Sequence, residues 1–231
     1  MLDFMDPMIV HRKSSELYAN DNVFEYACAK GKVSSLGYGF LAEPALPKFK
    51  LDGDETTERI KAFLERYLVP PKHIVFSTAS LNIVINHLIS HPCYIVEVEK
   101  DYLLPVFDEL KTTLPNTVLL NPTEKTFRTY WKNGTIILRP LATKAPIASD
   151  GSYRIEKLIV DLILSWQIRA FYSRADIEQA LDLLCNHYEV NFHTLFAYAK
   201  RKGKAKQVFK AIQDLLKEPY QEVIHAIKEK L

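Results

Sequence analysis

Short apolar runs alternate with helical stripes between His73 and Leu138, and this alternation constrains the fold more than any other feature of the chain. His73 to Phe76, Cys93 to Val98, Thr117 to Leu120 and Thr135 to Leu138 are rich in β-branched and aliphatic residues and have strand length. Helices are expected between them, at Ser80 to Ile89, Tyr102 to Lys111 and Glu124 to Trp131. Ahead of the first strand, Ile60, Phe63, Leu64, Tyr67 and Leu68 recur at spacings of three and four behind an acidic turn opening at Asp54, and Pro70 and Pro71 end that helix. Strands and helices in this order build a sheet layer covered by helices. Residues 49–152 are therefore expected to form an α/β body, with a small mostly parallel or mixed sheet and flanking helices.

Strand signals stop at the loop from Pro140 to Ser152. Residues 153–231 read as a helical region, with spans Ile155 to Trp166, Arg174 to Asn186, Phe192 to Lys202, Lys204 to Lys217 and Pro219 to Lys230, Pro219 serving as a first helical residue. At the other end, residues 1–48 read as a partial winged-helix-like element. Asp21 is the expected cap of a helix from Asn22 to Lys30 that Gly31 closes, and Lys32 to Leu36 pairs with Phe40 to Ala42 across Gly37-Tyr38-Gly39. The helix carries one lysine and no arginine and the hairpin adds only Lys32, so Lys30 and Lys32 are the cations that this helix and hairpin offer to DNA.

Thirty Lys and Arg face 28 Asp and Glu, a formal charge of +2, so an anionic partner has to be met by a local patch. That patch is Lys200-Arg201-Lys202-Gly203-Lys204-Ala205-Lys206, at a helix junction. Lysines there make salt-sensitive backbone contacts with little sequence information, or else serve as a solvated turn that favours the preceding helix C-terminus. Tyr188, Phe192, Phe196 and Tyr198 surround it, at spacing that favours core packing over base stacking. The last helix gathers Val223, Ile224, Ile227 and Leu231 on one side, to dock on its own body or on another chain. Cys28, Cys93 and Cys185 are odd in number and widely spaced, which suits a reducing, cytoplasmic compartment. Asp3 and Asp6 interrupt the N-terminus and Asp161 the greasiest later run, Leu158 to Leu164, so neither an export signal nor a membrane span is expected.

Two acid or histidine groupings invite a chemical reading. Glu97-Val98-Glu99-Lys100 resembles the metal-binding edge of a nuclease, but a period of two puts Lys100 on the face opposite both glutamates, and an ion pair at a strand end is the plainer reading. His87 and His91 stand four apart as zinc ligands do, yet no glutamate follows His87 and His91 sits before Pro92. Phosphate-binding glycine loops and a serine hydrolase elbow are absent from the sequence, so no catalytic residue, metal or cofactor is expected.

Three stretches are familiar as a set: Glu156-Lys157-Leu158-Ile159-Val160-Asp161-Leu162, Tyr188-Glu189-Val190-Asn191-Phe192, and Leu195-Phe196-Ala197-Tyr198-Ala199-Lys200-Arg201-Lys202-Gly203-Lys204. Together they resemble the C-terminal half of the abortive-infection type IV antitoxins and come closest to a largely uncharacterised relative of that group. Ser77-Thr78 with Leu81-Asn82 and His87, and Val96-Glu97-Val98-Glu99-Lys100, look like its central sheet motifs, and the coverage is about residues 30 to 215. The resemblance implies a winged helix that binds operator DNA and a body that opposes a nucleotidyltransferase toxin encoded beside it, without a stable toxin complex. It singles out Glu97, Glu99, Lys100, Glu156, Lys157, Asp161, Asn191 and Tyr198 as motif residues. Read from the residues alone, Asp161 caps or pairs, and Glu156 with Lys157 forms a helix surface. The alternatives are a divalent-metal nuclease using Glu97 and Glu99, and a nonspecific nucleic-acid binder using the basic junction.

Overall fold

The computed structural model describes residues 7–67, 73–85, 88–148 and 151–231. The chain opens with strand β1 (Met8–His11), helix α1 (Asp21–Ala29) and strands β2 (Ser34–Gly37) and β3 (Phe40–Glu43). The expected hairpin is present. Gly37 and Gly39 take φ of 82° and 87° on either side of the turn, a region open to glycine without strain. β1 adds to the other edge of β3, giving an antiparallel order β1-β3-β2. The cap of α1 is Asn20, one residue before the expected Asp21: its Oδ1 accepts from the N–H groups of Asn22 and Val23. Asp21 instead takes the Arg12 guanidinium, which also lies 4.1 Å over the Phe24 ring. Phe24 and Ala27 of α1 pack on Tyr18, Val33 and Leu41.

Helix α2 (Glu55–Tyr67) is followed by β4 (His73–Ser77), β5 (Tyr94–Val98), α3 (Leu103–Thr113), β6 (Val118–Leu120), α4 (Glu124–Tyr130) and β7 (Ile136–Pro140). The sheet order is β4-β5-β7-β6, with β4 antiparallel to β5 and the other pairs parallel. This is the small mixed sheet with flanking helices that the alternation predicts. Val96, Val98, Ile136 and Leu138 on one face meet Ile60 and Leu64 of α2 and Val106 and Leu110 of α3, while Cys93 and Ile137 meet Phe127 of α4 on the other. Asp54 fixes the start of α2, accepting from the Thr57 N–H at 2.8 Å and from the Tyr94 hydroxyl at 2.9 Å.

Where an α-helix is expected over Ser80 to Ile89, the described residues hold a 3-10 stretch, Thr78–Ile83. The Asn82 amide bonds to the backbone N–H and carbonyl of Ile89, a side-chain partner that competes with helical pairing. Leu68, the Pro70-Pro71 stop and His87 lie outside the described residues.

The remaining helices are α5 (Ile155–Leu164), α6 (Trp166–Arg169), α7 (Arg174–His187), α8 (Phe192–Arg201), α9 (Ala205–Ile212) and α10 (Gln221–Lys230). The expected span to Trp166 breaks at Ser165, which has extended backbone. α9 ends at Ile212, short of Lys217, and beyond its end the Asn186 side chain donates to the Leu215 carbonyl at 2.9 Å and accepts the Lys217 N–H at 3.1 Å. Pro219 does not open the last helix: α10 begins two residues later, at Gln221.

Contacts gather the chain into two compact units: Met1–Phe49 with Ile155–Leu164 and Ile177–Leu231, and Lys50–Arg154 with Ser165–Asp176. The segments expected as separate N-terminal and C-terminal regions thus share one unit, and α6 belongs with the sheet. Among the described residues, no helix is long and apolar enough to cross a membrane.

Candidate functional site

The motif residues of α5 are interior, which corrects the expectation of a helix surface at Glu156 and Lys157. Glu156 is 2% exposed, and Lys157 and Asp161 are at 0%. A buried charge persists only when it is paired and hydrogen-bonded, and α8 supplies the partners. Lys157 and Asp161, one helical turn apart, form an ion pair. Tyr198 of α8 brings its hydroxyl to 3.5 Å from Asp161 Oδ1, and its ring lies 5.8 Å from Lys157 Nζ. Lys202 approaches from the surface, 3.4 Å from the same Asp161 oxygen and 5.3 Å over the same ring. Glu156 Oε1 accepts the Asn191 N–H at 3.2 Å. Asn191 in turn caps α8, with Oδ1 taking the Thr194 N–H at 3.0 Å and its amide nitrogen 3.4 Å from the Ser35 carbonyl of β2. Gly37 lets this hairpin come close, because a Cβ there would sit 2.6 Å from the His193 nitrogen. The motif residues fasten α5, α8 and the hairpin together.

At the outer end of the network lies the basic run. Lys200 and Arg201 end α8, Gly203 turns the chain with φ 67°, and Lys204 and Lys206 open α9. Leu195, Phe196, Tyr198 and Ala199 fill the inner side of α8; Lys200, Arg201, Lys204 and Lys206 are exposed, and Lys202 is drawn in toward Asp161. Phe192, Phe196 and Tyr198 are buried, and Tyr188 packs edge-on to Phe49 at 5.0 Å. These aromatics pack and do not offer free faces to bases. In the N-terminal element Lys30 and Lys32 are exposed, but so are Asp21, Glu25 and Tyr26 of α1, the last with the Lys30 ammonium 5.7 Å from its ring.

In the sheet, Glu97 is engaged as the plainer strand-end reading expects. Its Oε1 accepts from Arg139 Nε at 2.9 Å and from the Tyr153 hydroxyl at 3.4 Å, and Arg139 is held in place by the Ser165 hydroxyl and the Gln167 side-chain oxygen. A divalent cation on Glu97 would have to displace a guanidinium that sits beside it in parallel register. Glu99 and Lys100 are exposed just past the strand end. Among the described residues no group of three or more His, Cys, Asp or Glu has a metal-binding arrangement, and His91 is exposed. Arg139, Tyr153 and Gln167 carry no sequence signal: the parallel pairing of β5 and β7 brings Arg139 beside Glu97, and tertiary folding brings Tyr153 and Gln167 to the pair. Of the cysteines, Cys93 and Cys185 are buried, and burial pushes the Cys185 thiol up to about 12 and the Cys93 thiol higher still.

The model of DUF6577, described as a family of unknown function, matches residues 23–218. The chain belongs to that family. No curated protein matches it. The DUF6577 span starts inside α1 and contains the α5–α8 network, the cationic turn and the Glu97–Arg139 pair, whereas β1 and α10 lie outside it.

Proposed function

We propose that this DUF6577 member is a regulatory protein of the type IV antitoxin kind, antagonising a nucleotidyltransferase toxin encoded beside it, with the α8–α9 turn as its contact surface for an anionic partner. The observation that supports the reading is convergence. Glu156, Lys157, Asp161, Asn191 and Tyr198 come from separate stretches that carry the resemblance, and all of them join α5 to α8. Stretches that matched by chance would have no reason to touch. The network ends at Lys202, so the cationic turn is presented on a preorganised base, which lowers the entropy lost on binding. DNA contact by the N-terminal element is assigned to Lys30 and Lys32, because Asp21 and Glu25 on α1 oppose a phosphate backbone. Three unpaired cysteines fit a cytoplasmic setting. The test is co-expression with the neighbouring gene product: growth arrest by a nucleotidyltransferase should be relieved, and arrest that persists in the presence of soluble protein refutes the proposal.

A second reading, a nonspecific nucleic-acid binder, is favoured by the exposure of Lys200, Arg201, Lys204 and Lys206 around one turn. Charge reversal at Lys204 and Lys206 should then flatten the salt dependence, by about 0.9 in the log–log slope for each duplex phosphate no longer neutralised. An unchanged slope removes this reading.

A further inference from the structure

In an open sheet, ligands settle in the crevice outside the carboxyl ends of the parallel strands. The parallel pair β5 and β7 occupies the centre of the four-stranded sheet, and its ladder continues past the strand ends through the Leu141 N–H, which donates to the Val98 carbonyl at 2.7 Å. Leu141 also lines a cavity of about 300 Å3, with Glu99, Lys100, Thr143, Lys144 and Ile147. The walls thus come from the end of β5 and from the loop that leaves β7. This volume is at the lower end of the range for small-molecule sites.

The loop carries a strained residue at the cavity. The Ala145 N–H donates to the Ala142 carbonyl at 3.0 Å, closing a four-residue turn with Thr143 and Lys144 at its centre. Lys144 has φ 55°, a left-handed conformation that glycine adopts freely and a lysine adopts at a cost. Glycine would serve the turn better. Backbone strain retained at a residue that lines a cavity argues for a use of that residue.

The lining has two chemical characters. Lys100, Lys144 and Thr143 supply two cations and a hydroxyl, which suit the oxygens of a phosphate. Glu99 is acceptor-only when ionised; it suits neutral hydroxyl groups and repels a second anion. We propose that this cavity binds a small hydroxylated phosphate ester, of the sugar-phosphate or nucleoside-monophosphate class, with the phosphate on Lys100, Lys144 and Thr143 and a hydroxyl on Glu99. The antitoxin resemblance marks Glu99 and Lys100 as motif residues without assigning them a ligand, and the ligand site goes beyond that reading.

Isothermal titration calorimetry on the full chain tests it, with ribose 5-phosphate, adenosine monophosphate, ribose and inorganic phosphate as titrants. At least one ester should bind about tenfold more tightly than inorganic phosphate, and ribose should give no saturable heat. Lys144→Gly should weaken the ester about tenfold or more while unfolding at the same or a higher temperature, because the turn is relaxed. Lys100→Gln should weaken it as well, and Glu99→Gln should erase the preference for ester over inorganic phosphate. The proposal is overturned if neither ester binds by about 10 mM, if inorganic phosphate binds as tightly as both, or if Lys144→Gly binds like the wild type.

Discussion

Replacing Asp161 with alanine removes the carboxylate beside an ammonium that has no exposed surface. Breaking a buried pair in this way costs about 3–5 kcal/mol, because the remaining charge keeps its desolvation penalty and loses its main attraction. The Tyr198 hydroxyl also loses an acceptor. Against a domain stability of about 5–15 kcal/mol, the loss is a large fraction of the total. Replacing both partners, Lys157→Met with Asp161→Leu, removes both charges, and such apolar exchanges are often neutral or better. The double variant should therefore recover most of what the single variant loses. The two tryptophans, Trp131 and Trp166, both belong to the sheet unit, so their fluorescence follows that unit while far-UV circular dichroism also follows the helices of the other. In urea, Asp161→Ala should lower the midpoint of the circular dichroism transition more than that of the fluorescence transition. A single variant that costs under about 1 kcal/mol, or a double variant as unstable as the single, refutes the account of this network.

Other consequences are open to direct measurement. Arg139→Met should destabilise the sheet unit by about 3–5 kcal/mol, read by tryptophan fluorescence in urea, because Glu97 keeps its burial and loses its guanidinium; an effect no larger than that of an exposed-residue change contradicts it. Gly37→Ala, at φ 82° and facing the His193 backbone, should lower the thermal midpoint, whereas Gly31→Ala, with open space around it, should suffer only the backbone strain. Native protein at pH 8 should leave Cys93 and Cys185 unreactive to a thiol reagent, with all three thiols reacting after denaturation. Because the folded Cys185 thiol titrates near 12 against an ordinary 9.0, its contribution to stability is whole below about pH 9 and is lost as pH rises toward 12. Stability that stays flat through that window contradicts its burial as a protonated thiol.

The strands of the central sheet are legible because each is a short apolar run bounded by turn residues, and His73 to Phe76 and Cys93 to Val98 differ from the observed β4 and β5 by one residue. β1 is not legible: Met8–His11 is a strand only because β3 offers an edge to pair with. The same holds for charges. Glu156 and Lys157 read as solvated because nothing nearby in sequence announces partners; Asn191 reaches Glu156 only through tertiary folding. The spacing of Lys157 and Asp161 by one helical turn is plain in the sequence, but their burial follows from the apolar surroundings that α8 provides. Where local pattern would continue α9, the chain at Leu215 and Lys217 bonds instead to the Asn186 side chain, 29 and 31 residues away in sequence. The basic turn is visible as composition, while its tie to the interior through Lys202 is not.

The central claim is that the outward cations of the α8–α9 turn do the recognising, on a base held by the buried motif residues. Its most direct test measures growth rescue, in cells expressing the neighbouring gene product that the proposal takes to be a nucleotidyltransferase, by wild-type protein and by a variant with Lys200, Arg201, Lys204 and Lys206 all changed to Glu and shown by circular dichroism to keep its helices. Rescue should be lost in the variant and retained in Glu99→Gln. Full rescue by the charge-reversed protein would contradict the claim.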